Sequence, residues 1–569
     1  MINLTVLDFF CGAGGFSEGF RQQGYKIILG IDNWKPAIDT FNFNFGLDCK
    51  VQNVLDFGNS IERIENLPNT SVIIGSPPCV SFSSSNKSGK ADKSLGVTLT
   101  ETFLKIVAIK KHMPGSVLKG WFMENVTKSL SHLQPHYTFR NLSLEEWAIL
   151  HKIDPDKVAL SIEDNNTIIN SAEYGSPQAR RRVISGEIIS EGRLIVPERL
   201  FRDPNEISDL PAFRTLDFVK KSLPKPNYPF SDSQVVDPLY PVIKIKQSEL
   251  SDHFYDSGLY ETEWKNSKFM KTNHPYMGMM SFPENNLKPS RTITATKIGT
   301  SREAIIYESE FARTGNGEYR TPTVREAATI MGFPITFQFI GSESAKWRLA
   351  GNAVCPSVSK SFAATLKRTM GLTLPVHPII ELKPLLGIGH NLNNYKQKKF
   401  DNPPKRTNGS RFRRHPFKDG NITVTLSNYD IVANDKSRIK WMTSVQYGNG
   451  DGFPCRSYED GFYKEIEPVI SKFKNGTKFL EIINNGFSEK IAQSNILQAM
   501  HEEQMSKDGY FEPTKLIEKV AEIICELDVN RDLYVQKEEC IFPTKLSIPE
   551  KQVMALYAVN KISTIANLS

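Results

Sequence analysis

Cys79 stands at a position typical of an exposed nucleophile. It follows two prolines at the end of the apolar stretch SVIIGS, within GSPPCVSFSSSN at residues 75–86. A strand that ends in a stiffened turn places the next side chain at the carboxyl edge of a sheet, where open α/β folds bind ligands. The small polar residues 81–96 are typical of a mobile loop. A lone cysteine is often a small buried hydrophobe, but this position predicts a thiolate that attacks a substrate.

Two further groups suit the same chemistry. Glu124 ends the apolar stretch GWFMEN, where a carboxylic acid could protonate or hydrogen-bond a ring nitrogen and make the ring electrophilic. In QARRRV, alternate arginines would share one face of a strand, so Arg180 and Arg182 could meet a phosphate or a base carbonyl together. Taken singly, these features also fit an ordinary strand-end acid and a solvated basic face.

A glycine-rich turn near the N terminus indicates a nucleoside cofactor. The sequence DFFCGAGG, residues 8–15, follows an apolar stretch and opens a helical pattern, and its glycines let the backbone approach a ligand. Asp32 ends the next apolar stretch, where its carboxylate could bond both hydroxyls of a ribose. These features fit NAD and S-adenosylmethionine equally well.

The elements that must position these residues alternate along the first 190 residues. Helical patterns at 17–24 and 36–45 separate apolar stretches, which predict buried strands at 5–10, 26–32, 71–76 and 120–125. This alternation predicts βαβ units and a doubly wound, mostly parallel sheet of the α/β class. From about 190 to 290 the chain is rich in Pro, Ser, Asp and Tyr, which predicts a separate irregular module.

The excess charge lies in one stretch. Residues 396–420 contain nine Lys or Arg and two Asp, a balance of +7 that equals the net charge of the whole chain. This stretch is predicted to be a linker. It is either a solvated tether or a linker that also contacts nucleic-acid phosphates. Helical patterns at 513–527 and 549–562 then predict a small α+β domain over 421–569, without a nuclease or metal motif.

The composition is that of a soluble protein with more than one domain. The chain has 569 residues, of which 39% are hydrophobic and 23% charged. None of the seven cysteines has zinc-ligand spacing, so we expect free thiols and no metal site. The apolar runs are too short for a bilayer and the N terminus lacks a secretion signal, so a cytoplasmic location without membrane contact is predicted.

Six motifs, in order, resemble those of the C5-cytosine DNA methyltransferases of bacterial restriction–modification systems. They cover about residues 1–370 and read DFFCGAGGFSEGF, GSPPCVSFS, ENV, YGSPQARRRV, PSRTIT and GNAVCPSVS. The resemblance implies the S-adenosylmethionine-dependent methyltransferase fold. It also implies five segments: a catalytic domain at 1–190, a target-recognition domain at 191–290, a returning catalytic part at 291–375, the basic linker at 376–420 and a C-terminal domain of unknown role at 421–569.

The resemblance implies roles for the reactive residues. A cytosine is flipped out of the duplex, Cys79 attacks its C6 atom, and Glu124 engages N3. C5 then takes the methyl group of S-adenosylmethionine, and loss of the C5 proton releases Cys79. Arg182 would hold the cytosine O2 and Arg180 would support the same pocket. The cofactor-binding residues would be Phe10, Gly12, Gly14, Gly15, Asp32, Asn33, Asn53, Val54, Asn352 and Val354.

Some positions depart from the family pattern. Where the family usually has an aspartate that contacts adenine, this chain has Asn53, whose amide oxygen can still accept from an amino group; Asp56 lies farther on. Asp32 is preferred to Asn33 for the ribose because of its charge. Arg291 and Thr292 would position the recognition module, whose DNA contacts would come from Tyr240, Lys244, Lys246, Tyr255, Lys265, Lys268, Lys271 and His274.

The implied partner is double-stranded DNA, bound by a monomer, with a cognate restriction endonuclease encoded separately. One alternative is the same chemistry on RNA, since a minority branch of the family methylates tRNA. Another is a non-catalytic DNA-binding relative, against which the presence of both Cys79 and Glu124 argues. A dinucleotide oxidoreductase is a third alternative, in which the proline–cysteine and arginine motifs would have no role.

Overall fold

The computed structural model describes most of the chain and divides it into two compact units. Unit 1 spans Met1–Pro403 and unit 2 spans Pro404–Ser569. Cys79, His274 and the predicted turn at 449–454 lie outside the described residues, as do residues 81–92 of the predicted loop. The described residues are 3–78, 93–227, 232–273, 279–381, 384–390, 398–401, 411–419, 422–447, 455–503, 505–528, 533–536, 541–542 and 547–568.

A six-stranded sheet forms the centre of unit 1 in the described residues. In chain order, the first eight strands of this unit are β1 (Thr5–Phe9), β2 (Lys26–Ile31), β3 (Val72–Gly75), β4 (Gly120–Asn125), β5 (His136–Thr138), β6 (Val158–Ser161), β7 (Asn166–Asn170) and β8 (Arg181–Ile188). The sheet order is β2-β1-β3-β4-β8-β7, and β5 pairs with β6 outside it. Strands β2, β1, β3 and β4 are parallel, and β8 runs antiparallel to both of its neighbours, β4 and β7, which confirms the predicted mostly parallel sheet.

Helices cover the sheet of unit 1. They are α1 (Gly15–Gln22), α2 (Lys35–Phe45), α3 (Leu55–Gly58), α4 (Ile61–Glu65), α5 (Lys93–His112), α6 (Glu145–Leu150), α7 (Leu216–Ser222), α8 (Glu261–Thr272), α9 (Val324–Met331), α10 (Glu343–Asn352) and α11 (Pro356–Thr369). Because α5 begins at Lys93, the end of the predicted loop 81–96 is helical. The helix predicted at 36–45 is confirmed as α2, with Pro36 in its first turn.

The late helix α11 packs against α1 at very short range. A Cβ atom added at Gly19 would lie 1.9 Å from the Ser359 Oγ atom, so only glycine permits this contact. The Ser359 hydroxyl also donates to the Gly15 carbonyl at 3.2 Å. The chain therefore returns after residue 320 to complete the layer that begins with the glycine-rich turn.

The segment between β8 and α9 is irregular, as predicted, but it is not separate from the main core throughout. Its short strands are β9 (Gln234–Val236), β10 (Lys244–Lys246), β11 (Tyr307–Glu308) and β12 (Tyr319–Arg320). Apolar side chains from 235 to 250 join the main core of unit 1. A second small core lies within residues 259–320, here called the aromatic lobe, and contains Leu259, Trp264, Phe282, Ala304, Ile306 and Tyr319.

Unit 2 has its own core and is of the α+β type, as predicted. An antiparallel sheet has the order β13 (Arg414–Asp419), β14 (Ile422–Ser427), β15 (Met442–Tyr447), β16 (Cys455–Tyr458). The other elements are α12 (Tyr463–Ile470), α13 (Gly476–Ile482), α14 (Ser494–Glu503), α15 (Pro513–Glu526), β17 (Leu533–Val535), β18 (Ser547–Pro549) and α16 (Glu550–Asn567). The helix α16 is largely buried in the core that it shares with this sheet.

The predicted linker at 376–420 has a different organisation. Its first part follows the surface of unit 1, where the Ile388 amide donates to the Ser248 carbonyl at 3.1 Å. Its last part forms β13 in unit 2. Among the described helices of both units, none is long and apolar enough to cross a membrane.

Candidate active site

The carboxyl ends of the parallel strands line a cavity of about 180 Å³. Parallel strands end at the same edge of a sheet, so residues that are far apart in sequence meet there. The cavity brings together most of the residues that the motifs predict: Phe10, Gly12, Asp32, Asn33, Asn53, Val54, Glu124, Arg180, Arg182, Asn352 and Val354.

Gly14 and Gly15 do not line this cavity. A Cβ atom at Gly14 would lie 2.5 Å from the Phe45 ring, and one at Gly15 would lie 2.2 Å from the Val354 carbonyl oxygen. Both positions therefore require glycine for packing. These glycines let the turn pack closely against its neighbours, and their contact with a cofactor stays a prediction.

Asp32 organises the turn from inside the cavity. Its Oδ2 atom accepts from the Gly12 amide at 3.0 Å and its Oδ1 atom accepts from the Trp34 amide at 2.9 Å. Burial raises the pKa of Asp32, and these backbone amides partly oppose that rise. A carboxylate has about four acceptor positions, so capacity remains for a further donor such as a hydroxyl. Asn33 is exposed beside it, which supports the preference for Asp32.

Two aromatic side chains stand at the same end of the cavity. Phe10 has a left-handed backbone with φ of +54°, a strained conformation for a residue with a side chain, and the Ser76 hydroxyl donates to its carbonyl at 3.1 Å. Trp34 lines the cavity too, with the Arg348 guanidinium 4.6 Å from its ring centroid. Trp34 is not among the residues predicted from sequence, although it lies only two residues after Asp32.

Asn53, rather than Asp56, faces the cavity. The Asn53 Oδ1 atom accepts from the Leu55 amide at 3.1 Å, which leaves its second lone pair available. Asp56 is exposed and lies 3.9 Å from Arg63, outside the cavity lining. This geometry favours Asn53 for the position where the family usually has an aspartate.

Glu124 and Arg182 form the reactive side of the cavity. Glu124 is 7% exposed at the end of β4, and the Arg182 Nε atom lies 3.1 Å from its Oε1 atom. The antiparallel pairing of β4 with β8 sets this contact. Glu124 lies opposite Ile184, and Arg182, two residues before Ile184, has its side chain on the same face of the sheet. Burial raises the pKa of Glu124, and Arg182 followed by Arg180 reduces the rise. The protonated acid is therefore more accessible than in an exposed glutamate.

Arg180 contacts the backbone of the last two motifs. Its Nη1 atom donates to the carbonyls of Gly351 at 3.2 Å and Ile293 at 3.3 Å, and its Nη2 atom donates to that of Ala353 at 3.3 Å. These bonds direct the guanidinium toward protein carbonyls. Arg180 thus ties the late segments to the edge of the sheet, in keeping with a supporting role.

Cys79 itself lies outside the described residues, but the two residues before it line the cavity. Pro77 and Pro78 both contribute to the wall, and the Asn125 amide group donates to the Pro77 carbonyl at 3.3 Å. The cavity also contains Cys11, which is 5% exposed. Burial, with Asp32 and Asp8 nearby, raises the pKa of the Cys11 thiol, so it is held in its unreactive form.

A family model described as C-5 cytosine-specific DNA methylase matches residues 4–368. The chain belongs to this family. It is 26% identical over 374 residues to the type II methyltransferase M.HgiDI of Herpetosiphon aurantiacus, an alignment that covers 64% of this chain and 94% of that protein. It is 27% identical over 370 residues to the type II methyltransferase M.AplI of Arthrospira platensis, with 64% and 86% covered.

Solved structures also align with the methylase. The S. pombe Dnmt2 methyltransferase is 15% identical and aligns with a TM-score of 0.38, covering 65% of this chain and all of that one. The family match leaves out about a third of the chain. The family therefore accounts for the larger part of unit 1.

The residues of the methylase that were predicted to contact DNA differ in their exposure. Lys244, Lys246, Lys265 and Lys268 are exposed, as that role requires. Tyr240 is buried, as are Tyr255 and Lys271; the Tyr240 hydroxyl donates to the Gly332 carbonyl at 2.8 Å. Lys271 lies 3.3 Å from Glu284. These three residues stabilise the fold, so the prediction that they contact DNA is wrong for the structure described.

The cavity of the methylase has the chemistry that S-adenosylmethionine requires. Its aromatic walls, Phe10 and Trp34, can contact a purine, and Asp32 has acceptor capacity left for a ribose hydroxyl. Asn53 has an amide for an adenine edge. Among the described residues, no group of three side chains could hold a metal ion.

Proposed function

We propose that this methylase transfers a methyl group from S-adenosylmethionine to C5 of a cytosine that is flipped out of duplex DNA. The observation that carries the proposal is the Glu124–Arg182 pair, which shares one cavity with the Asp32 turn and with Pro77 and Pro78, the residues that precede Cys79. The relatives named type II methyltransferases support a short specific target site and a restriction–modification role.

In this proposal the reaction begins at the cytosine ring. The Cys79 thiolate adds to C6 while Glu124 donates a proton to N3, so that the ring electrons move to C5 without leaving a full charge on the base. Arg182, beside Glu124, binds the O2 atom and keeps the acid oriented. When bound, S-adenosylmethionine supplies an electrophilic methyl group. A water molecule then takes the C5 proton, the electrons of the C5–H bond re-form the C5–C6 double bond, sulfur leaves as the Cys79 thiolate, and the N3 proton returns to Glu124.

The remaining cavity residues hold the reactants in place. Phe10, Asp32 and Asn53 bind the nucleoside part of the cofactor through ring contact and hydrogen bonds. Arg180 keeps the late segments against the sheet, so Val354 closes the cavity beside them. Fixed positions of this kind reduce the entropy lost when two reactants meet.

The proposal extends to partners. Duplex DNA is the substrate, a restriction endonuclease encoded separately would cut the unmodified site, and a cytoplasmic location follows from the DNA substrate. We expect the protein to act on its duplex as a monomer.

Bisulfite sequencing of DNA from cells that express the protein tests this function. We expect cytosines resistant to conversion at one short sequence, and complete conversion at that sequence in cells that express Cys79→Ser. Full conversion at all sites with the unaltered protein would overturn the proposal. Resistance in RNA with none in DNA would instead favour a tRNA substrate.

A further inference from the structure

The chain does not leave unit 1 where its family resemblance ends. The family match stops at residue 368 and α11 ends at Thr369. Beyond this point the Ile379 amide donates to the Gln22 carbonyl at 3.0 Å, and the Ile388 amide donates to the Ser248 carbonyl at 3.1 Å. Residues 372–401, in their described parts, therefore follow the surface of unit 1. We call this segment the strap.

Phe400, near the end of the strap, occupies a pocket shaped for one ring. The side chain is 9% exposed, its centroid lies 5.6 Å from that of Tyr260, and the Arg313 guanidinium lies 4.1 Å from it. A Cβ atom at Gly258 would lie 2.5 Å from this ring, and one at Gly317 would lie 2.7 Å away. Glycine at both positions makes room for the phenyl group.

A charged contact reinforces this attachment. The Lys398 ammonium donates to Glu263 at 2.6 Å and lies 4.7 Å from the Tyr260 ring centroid. Glu263 also accepts from the Tyr260 amide at 2.8 Å, at the start of α8. The strap thus binds the N-terminal end of α8 through both a ring and a charge.

The glycines of the pocket for Phe400 are joined to the core of the aromatic lobe through the backbone, since Gly258 precedes Leu259 and Gly317 is hydrogen-bonded to it. The Leu259 amide donates to the Tyr319 carbonyl at 2.8 Å, and the Gly317 amide donates to the Leu259 carbonyl at 2.9 Å. Leu259 is one of only a few fully buried apolar residues in this core, among the described residues. A core this small gives the lobe few internal contacts to fix its orientation.

The aromatic lobe is also connected to the active site. The Arg291 guanidinium binds Glu284 and donates to the Ala304 carbonyl at 2.9 Å. Two residues later, the Ile293 carbonyl accepts from Arg180. The other surface of the lobe exposes the basic side chains of Lys265 and Lys268 on α8. A change in the lobe's orientation would therefore move these lysines relative to the cavity.

We propose that Phe400 is a positioning residue for target-site recognition. Its ring comes from the extension beyond the family region and holds the aromatic lobe in the orientation in which α8 meets DNA. This inference rests on the proposed function, because it takes the lobe to be part of the DNA-binding surface. It assigns to the extension of this chain a direct part in recognising the site.

Steady-state kinetics of Phe400→Ala test the proposal in the full-length protein. If the lobe keeps its productive orientation in about a tenth of the molecules, KM for the target duplex rises about tenfold. The turnover at saturating DNA and the affinity for S-adenosylmethionine should stay unchanged. Phe400→Leu, which keeps an apolar side chain, should give a smaller rise. Val376→Ala is the matched control, since Val376 lies in the strap but is 92% exposed.

Hydrogen exchange without DNA separates the anchor from the enzymatic function. Exchange in residues 259–273 and 304–320 should be faster in Phe400→Ala than in the unaltered protein or in Val376→Ala. An unchanged KM together with unchanged exchange overturns the proposal, and so does an equal loss of cofactor affinity, which would mean general destabilisation. If Phe400→Ala does not fold, Phe400→Leu decides by the same comparisons. If the unaltered protein methylates no duplex, the proposed function fails while exchange still decides whether Phe400 anchors the lobe.

Discussion

Glu124 is subject to two opposing influences at the end of β4. Burial raises its pKa, and the guanidinium groups of Arg182 and Arg180 oppose the rise without cancelling it. The side chain is paired with Arg182 at 3.1 Å, which orients the carboxyl group in the cavity. A raised pKa keeps this acid protonated to a higher pH than an exposed glutamate, which suits a donor to a ring nitrogen.

Glu124→Gln should therefore slow methyl transfer by about 10²–10⁴-fold, the usual contribution of a positioned general acid. The amide has nearly the same shape but cannot supply the proton, and it can present the wrong group to N3. The affinity for S-adenosylmethionine should change little, because the residues predicted to bind the cofactor do not include Glu124. Single-turnover rates and calorimetric titration with the cofactor measure the two effects separately.

Glu187→Gln is a matched control for this prediction. Glu187 is 6% exposed on β8 and pairs with Lys111 at 2.7 Å, but it does not line the cavity. Its variant should retain the rate of methyl transfer. Equal slowing in both variants would mean that the loss of any buried acid disturbs the fold, and an unchanged rate in Glu124→Gln would remove Glu124 from the chemistry.

The sequence predicts those site residues that a local motif determines. Glu124 and Arg182 follow from their motifs, and the structure brings both to one cavity. Trp34 and Arg348 could not be predicted, because their contact joins two segments that are far apart in the chain. The packing role of Gly14 depends on the rings of α2, which local sequence does not reveal.

At the scale of elements, β1 carries an unusual buried acid. Asp8 is 0% exposed in the middle of this strand, and the Ser17 hydroxyl donates to its Oδ2 atom at 2.6 Å. Burial raises the pKa of Asp8 to about 8. In the unfolded chain an aspartate titrates near ~3.9, so the folded protein binds an additional proton between about pH 4 and pH 8.

This difference predicts the sign of a pH effect on stability. The contribution of protonated Asp8 is complete below about pH 4 and is lost as pH rises toward 8, by at most ~1.4 kcal/mol for each pH unit. Asp8→Asn keeps a neutral side chain at all pH values. The free energy of unfolding of Asp8→Asn, relative to that of the unaltered protein, should therefore increase as pH rises from 5 to 8.

Urea unfolding of both proteins across this pH range measures the effect. Asp39→Asn is the control, because Asp39 is a partly exposed acid on α2 that pairs with Lys35 at 2.7 Å. That variant should give a stability curve parallel to the unaltered one. Parallel curves for Asp8→Asn as well would show that Asp8 is ionised in the folded protein.

The strands and helices of the first 190 residues could be predicted because apolar runs and turn signals coincide there. The segment 190–320 could not, since its short strands contain two or three residues each and give no periodicity. Tyr240 illustrates the consequence. It lies between prolines in a segment without helix or strand periodicity, which gives no signal of burial, yet tertiary packing buries the ring and its hydroxyl bonds the Gly332 carbonyl.

At the scale of the whole molecule, the excess positive charge lies around the start of unit 2. Arg413 and Arg414 are exposed at the beginning of β13, and the Arg414 Nε atom donates to the Tyr429 hydroxyl at 3.0 Å. Arg411 lies 3.5 Å from Glu502. Arg413, Arg414 and Lys418 line a groove of about 250 Å³ between β13 and α15.

Replacing Arg411, Arg413 and Arg414 by glutamine should weaken binding to every duplex alike. Each lost phosphate contact should lower the log–log salt slope by roughly one unit, while site preference survives because base contacts specify the site. A salt titration on target and random duplexes measures both. The control replaces Lys472, Lys474 and Lys478, exposed lysines of the same unit, and should leave the slope unchanged. An unaltered slope in the arginine variant would make this region a tether only.

The most direct test of the central claim, that Cys79 attacks the cytosine ring, uses a duplex with 5-fluorocytosine at the target position. After methyl transfer, fluorine occupies the place of the C5 proton, so the ring cannot be restored and the bond from sulfur to C6 cannot break. The account predicts a stable protein–DNA adduct in the presence of S-adenosylmethionine, with the cross-linked peptide mapping to Cys79. A cross-link at Cys11, the cysteine described in the same cavity, or no adduct from an enzyme that methylates ordinary DNA, would contradict it.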